Sequence, residues 1–284
     1  MIDETARQIR DMRTHSSSSV AITAAGALLG LVEREYPSLE EFTRDVERNS
    51  TQLRQANPSH ASLQNTQHRI VDILRDADPS DVQAAKDTLE NAVEDTVASI
   101  QGAQRRAAVQ AVELLTDGDV VLTHDYSTTV LAALEEASDR ELSLSVYVTE
   151  ARPRYMGRRM ARHVAGIEHM DATLIVDSAA GHFLSGCDRV LVGMTSIAGD
   201  ILYNRVGTFG LAACANQRNV PFTVVGAATK VIDGEFVFEN DFRSAVEVMR
   251  EPTEAFHISN PAYDATPLDL VDSVVTDDGR FHPG

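Results

Sequence analysis

From about Asp117 the chain alternates two textures. Short runs rich in β-branched residues (DVVLT, LSVYVTE, ATLIVD, RVLVG and FTVVG) are separated by segments of helical pattern, STTVLAALEEA, RRMARHVAG and GTFGLAACANQ. Strands joined by helical crossovers pair in parallel, so the alternation predicts βαβ units and a sheet buried on both faces. Such sheets take ligands at the carboxyl ends of their strands, and nearly all the unusual polar residues of this chain fall there. The tail NPAYDATPLDLVDSVVTDDGRFHPG reads as a polar closing segment punctuated by proline.

Residues 1–115 contain no β-rich run. Apolar residues recur at helical spacing in AITAAGALLGLVEREY and in DVQAAKDTLENAVEDTVASIQGAQRRAAVQAVELL. Breaks fall at Tyr36-Pro37-Ser38, Asn57-Pro58-Ser59 and Asp78-Pro79-Ser80, where X-Pro ends one helix and the serine can cap the next. The expectation is an α/β chain with two domains, a helical one over 1–115 and an α/β ligand-binding one over 116–284.

Hydrophobic residues make up 43% of the 284 and charged residues 24%, as in ordinary soluble globular chains. No apolar run approaches the ~18 residues that a membrane span needs. The start, MIDETARQIRDM, carries acids and lacks the apolar core of a signal peptide, so a cytoplasmic location is expected. Cys187 and Cys214 have neither metal-type spacing nor a disulfide framework. The net charge of −18 speaks against direct nucleic-acid binding and against an anionic membrane surface, while leaving room for a local phosphate pocket. Only Lys86 and Lys230 of the 25 basic residues are lysines. That balance fits either adaptation to high salt or a GC-rich genome that favours arginine codons.

The nine histidines form no HxxH or HExxH pair, so no metal is expected. No GxGxxG follows the first strand and no GxxxxGK[ST] occurs, so no cofactor is expected either.

Each strand end offers a candidate. After the first, Ser127 or Thr128 caps a helix beginning near Thr129, and the free N–H groups there suit a helix cap and a phosphate equally. The second ends in Glu150 and Arg152, which read either as an internal pair on a pocket floor or as a surface ion pair. The third delivers Asp177, a cap for a short helix or a ligand-facing group. After the fourth, a turn at Ala198-Gly199-Asp200 leads to Asn204 and Arg205, and Gly207-Thr208 opens a helix; together these would make an anion site. The fifth delivers Lys230, a compact ammonium in a chain that otherwise uses arginine, though chance also explains one retained lysine.

Taken in order, THDYSTTVLAALEEA, VYVTEARPRYMGRRMA, TLIVDSAA, VLVG followed by NRVGT, and NPAYDATPLDLVDSVVTDDG resemble the family of the alpha, beta and delta subunits of translation initiation factor 2B. That family also contains ribose 1,5-bisphosphate isomerase and methylthioribose-1-phosphate isomerase. The resemblance spans Asp117 to Gly279 and is looser in IRDMRTHSSSSVAITAAGAL. It implies an N-terminal helical domain, a Rossmann-like C-terminal domain with a mainly parallel sheet, and a homodimer formed through the latter.

The departures bear on function. Asp125 stands where the family's isomerases have a cysteine, and Thr195 where they have the aspartate of Gly-Ala-Asp, with one residue fewer before the asparagine. Isomerisation needs a proton-shuttling group and a partner acid, and a threonine cannot supply the acid at neutral pH. The phosphate-handling positions match better: Arg13, with Ser16 in the same stretch, then Ser127, Thr128, Thr129, Asn204-Arg205 in place of Asn-Lys, and Lys230. Asn57 stands where many members have arginine. The resemblance therefore implies a non-catalytic homologue of the alpha-type subunit that binds a sugar phosphate or nucleoside monophosphate, with translation initiation factor 2 as a candidate partner. The alternative is a sugar-phosphate aldose–ketose isomerase that uses Asp125 in an altered site. A third reading is a structural partner whose pocket is vestigial.

Overall fold

The computed structural model describes residues 2–10, 17–232, 236 and 238–283. It divides into two compact units, Met1–Gly102 with Thr229–Glu239, and Ala103–Ala228 with Asn240–Gly284. The division runs inside a long helix rather than after residue 115, and residues 229–239 return to the helical unit.

The first unit contains α1 (Ile2–Arg10), α2 (Ser17–Leu28), α3 (Leu39–Gln55), α4 (Ala61–Asp76) and the start of α5 (Val82–Val112). Its core gathers Leu28, Leu31, Phe42, Leu53, Leu63, Ile70 and Leu89, all fully buried. Each such side chain contributes about 1.5–3 kcal/mol through burial. The three proline breaks separate helices, but serine caps only the first: Ser38 Oγ accepts from Glu41 N at 3.3 Å. The other two helices begin later after their prolines, and a cap must lie just before the first helical residue. There His60 Nδ1 accepts from Leu63 N (3.1 Å) and Asp81 Oδ1 from Ala84 N (2.9 Å). Ser59 instead accepts from Glu239 N at 2.8 Å. Asn65 on α4 donates to the carbonyls of Thr229 (2.9 Å) and Val231 (2.8 Å), which ties the short strand β8 (Val231–Ile232) into this unit.

The second unit is the α/β layer. Its strands are β1 (Val120–Thr123), β2 (Leu144–Thr149), β3 (Met170–Ile175), β4 (Arg189–Gly193), β5 (Ser196–Ala198), β6 (Ile201–Arg205), β7 (Phe222–Val225), β9 (Tyr263–Pro267), β10 (Ser273–Thr276) and β11 (Gly279–Phe281). Its helices are the end of α5, then α6 (Thr128–Asp139), α7 (Met156–Val164), α8 (Ala180–Phe183), α9 (Thr208–Arg218) and α10 (Ala245–Val248). The main sheet runs β11-β10-β7-β4-β1-β2-β3, parallel except for β11. The central strands are apolar on both faces; Val121, Leu122, Val190, Leu191, Val192, Phe222, Val224 and Val225 are fully buried, as a sheet covered by helices requires.

All five expected strands form. The sequence reading missed the second sheet, in which β5 and β6 make a hairpin around Gly199 and β6 pairs antiparallel with β9. The tail read as a closing segment supplies β9, β10 and β11. Among the described residues no helix is long and apolar enough to cross a membrane.

The strand order reverses at β1, whose successor β2 lies on one side and β4 on the other. A crevice outside the carboxyl ends at such a reversal is where doubly wound sheets place ligands.

Candidate functional site

β1 ends at Thr123, and His124 and Asp125 follow directly. His124 is buried. Its Nδ1 lies 2.7 Å from Thr149 Oγ1 at the end of β2, and its Nε2 lies 2.9 Å from the carbonyl of Val206. Asp125 adopts φ 65°, a left-handed conformation that aspartate tolerates better than most residues, and the turn aims its carboxylate toward β6. There Asp125 Oδ2 meets Arg205 Nε at 3.3 Å, with the carboxylate largely buried and the guanidinium about one-third exposed. Arg205 in turn lies 4.8 Å above the ring of Tyr263, its register partner on β9.

Ser127 is the N-cap of α6, its Oγ accepting from Val130 N at 3.2 Å. Gly193 at the end of β4 packs so closely on Ser127 that a Cβ there would overlap the serine side chain. Thr128 is exposed beside the cap, whereas Thr129 is buried. Thr195 lies half-buried between β4 and β5, its amide donating to Tyr203 O at 3.1 Å.

The two candidate carboxylates at the ends of β2 and β3 have partners within the protein. Glu150 does not pair with Arg152; its Oε2 accepts from Arg158 Nε (3.2 Å) and Nη2 (2.6 Å). The turn over residues 151–155 folds the start of α7 back onto the strand end, where Gly157 N donates to the carbonyl of Glu150 at 3.2 Å, and so brings Arg158 to the Glu150 side chain. Arg152 instead donates to the carbonyl of Val248 at 2.9 Å. Asp177 accepts from the amides of Ala151 (2.7 Å) and Arg152 (2.8 Å), which holds the left-handed Ala151 in place.

The anion site expected at the start of α9 is also filled from within. Asn204 is buried and donates to Thr208 Oγ1 at 3.2 Å. Asp264 Oδ2 accepts from Gly207 N (2.7 Å) and Phe209 N (3.1 Å), so a carboxylate already answers the N–H groups and the positive end of the helix. Nothing local to α9 signals this, because the cap arrives from β9, more than fifty residues away.

Asp125, Arg152, Arg154, Arg205, Arg243 and Asn260 line a small cleft of about 30 Å³. Four arginines meet in a chain of charge −18, yet the cleft is not bare positive charge. Arg243 is bound to Glu247 and to Asp241, and Arg205 to Asp125. The hydrogen bond from Arg243 holds the Glu247 carboxyl below its usual range.

Lys230 belongs to the helical unit, not to the α/β domain that the sequence reading gave it. Burial lowers its pKa to about 8, so a fraction of the amine is neutral near neutral pH. Arg13 and Ser16 lie outside the described residues. His124, Asp264, Arg243 and Asn260 were not among the sequence candidates. Only the THD triplet at a strand end pointed toward the first.

A family model describing the initiation factor 2 subunit family matches residues 13–283. The chain belongs to that family. Within it, the chain is 31% identical to ribose 1,5-bisphosphate isomerase of Haloferax volcanii, over 99% of this chain and 89% of that protein. It is 28% identical to methylthioribose-1-phosphate isomerase of Pelotomaculum thermopropionicum, over 99% of this chain and 82% of that one. Its fold matches the crystal structure of the Pyrococcus horikoshii translation initiation factor eIF-2B with a TM-score of 0.78 at 25% identity, over 99% of this chain and 97% of the other.

These relatives correct the expectation of a non-catalytic ligand-binding homologue. Ribose 1,5-bisphosphate isomerases match nearly the whole chain at 27–32% identity, and the isomerase alternative accounts for that where the non-catalytic reading does not. The missing cysteine and aspartate alone imply a loss of chemistry. Yet position 125 still carries a titratable group, held at the ligand edge of the sheet.

Proposed function

We propose that this chain is an aldose–ketose isomerase of a phosphorylated sugar, with ribose 1,5-bisphosphate as the first substrate to test and Asp125 as the group that moves the proton. The observation that carries this reading is the near full-length similarity to ribose 1,5-bisphosphate isomerases. The geometry supports it. Of the acids at the strand ends, Glu150 is held by Arg158, Asp177 by two backbone amides and Asp264 by the start of α9. Asp125 is paired with an arginine side chain that a phosphate or enediolate oxygen could draw away.

The reaction is balanced within the sugar. The ring opens between C1 and the ring oxygen, which takes a proton. The hydrogen of C2 leaves as a proton to the Asp125 carboxylate and is returned to C1, while the C2 hydroxyl loses its proton to become the ketone. Arg205 stabilises the oxyanion that develops between these steps. Ser127, Thr128 and the first N–H groups of α6 receive a phosphate.

Incubation of the purified protein with ribose 1,5-bisphosphate, followed by phosphorus NMR, should show ribulose 1,5-bisphosphate. Methylthioribose 1-phosphate serves as the second substrate arm. No turnover of either at millimolar concentration would overturn the reading. We also propose that the protein is a homodimer, supported by the exposed apolar side chains Phe242, Val246, Met249 and Phe256 in the second unit. A monomer mass in sedimentation equilibrium would exclude that.

A further inference from the structure

We propose that His124 is a positioning residue that sets the Asp125–Arg205 pair through its hydrogen bond to the carbonyl of Val206; its effect on turnover rests on the isomerase reading, its effect on the pair does not. A carbonyl can only accept, so Nε2 of His124 carries a proton. Nδ1 then meets the hydroxyl of Thr149, which fixes the plane of the ring from the other side. The ring is seated against Gly207, whose φ is +107°. A Cβ at that position would lie 2.8 Å from Cε1 and 2.9 Å from Nε2, so the backbone approaches the imidazole as no other residue would allow.

The connectivity turns this packing into a positioning device. His124 immediately precedes Asp125, and Val206 immediately follows Arg205. The bond between 124 and 206 therefore links the two backbones one residue away from each member of the ion pair. It does so where both need support: Asp125 sits in the left-handed region, and Arg205 ends a strand that turns at once into α9. Asp264 fixes the far side of the same turn through Gly207 N and Phe209 N. The turn bearing Arg205 is thus held by a histidine from β1 and an aspartate from β9. With only 4% of its surface exposed and both nitrogens engaged, His124 has no face for a substrate.

Three variants test this. His124→Phe keeps the ring's bulk and removes both nitrogens, while His124→Gln keeps an N–H for the Val206 carbonyl. Thr149→Val leaves the ring but frees its plane, and serves if His124→Phe does not fold. The first readout needs no substrate: the chemical shift of the Arg205 Nε–H group in nitrogen-15 spectra. In His124→Phe it should move to the value seen in Asp125→Asn, in Thr149→Val part of the way, and in His124→Gln stay near wild type. An unchanged shift in His124→Phe, or in Thr149→Val if the former is unfolded, overturns the proposal whether or not the protein turns over sugar phosphates. The second readout is kinetic. If the wild type is an isomerase, kcat should fall about 100-fold in His124→Phe with little change in KM, and His124→Gln should recover most of it. Equal kcat in His124→Phe and wild type also overturns the proposal.

Discussion

Two strand-to-helix junctions face the ligand edge of the second unit, and they are capped by opposite means. Where β1 passes into α6, the cap is the neutral hydroxyl of Ser127, and Asp125 stands beside it against Arg205. Where β6 passes into α9, the cap is the carboxylate of Asp264, and Asn204 is buried against Thr208. A neutral cap leaves the positive end of α6 available to an anion, while an anionic cap consumes that of α9. The first junction thus keeps a neutral cap beside Asp125, and the second holds the arginine that faces that carboxylate. The two looked alike in sequence, each a strand followed by small polar residues.

The largest effect that would break this contrast is on turnover. Asp125→Asn should lower kcat by at least about 100-fold while the protein stays folded, because the amide cannot take the C2 proton. Comparable activity in this variant would move the chemistry away from the first junction. Asp264→Ala should cost about 1–2 kcal/mol in thermal or urea unfolding, since it removes one acceptor serving two amides and a helix terminus. Millimolar phosphate should then restore part of that loss by occupying the vacated end of α9, and so stabilise this variant more than it stabilises wild type. Ser127→Ala should cost about 1 kcal/mol and raise KM for the phosphorylated substrate, and phosphate should stabilise it less than wild type. Glu150→Gln should change stability by under ~1 kcal/mol, because its arginine partner is nearly half exposed and screened by solvent.

Local features were legible and distant partnerships were not. The strand at VLT, the helix at TTVLAALEEA and the cap at Ser127 follow from residues within one or two turns of each other. The partner of Glu150 was misread because the nearest arginine in sequence is not the nearest in space once α7 folds back. Lys230 was given to the wrong unit because Asn65, far earlier in the chain, determines where residues 229–232 are held. The β5–β6 hairpin escaped notice because its strands are short and its third strand lies in the tail.

The sequence by itself therefore determined the alternation of strand and helix, the parallel sheet, the residues at each strand's carboxyl end and the family. Hydrophobic periodicity and capping are short-range, and a read along the chain captures them. Only the tertiary structure decided which carboxylate faces the cleft. Asp125, Glu150, Asp177 and Asp264 are equivalent as sequence, all acids at or beside strand ends. Arg158, eight residues on, holds Glu150, and backbone amides 25 to 57 residues away hold Asp177 and Asp264, while Asp125 pairs with an arginine that itself lines the cleft, because a carboxylate's chemistry is set by the donors around it in space and not by its neighbours in the chain.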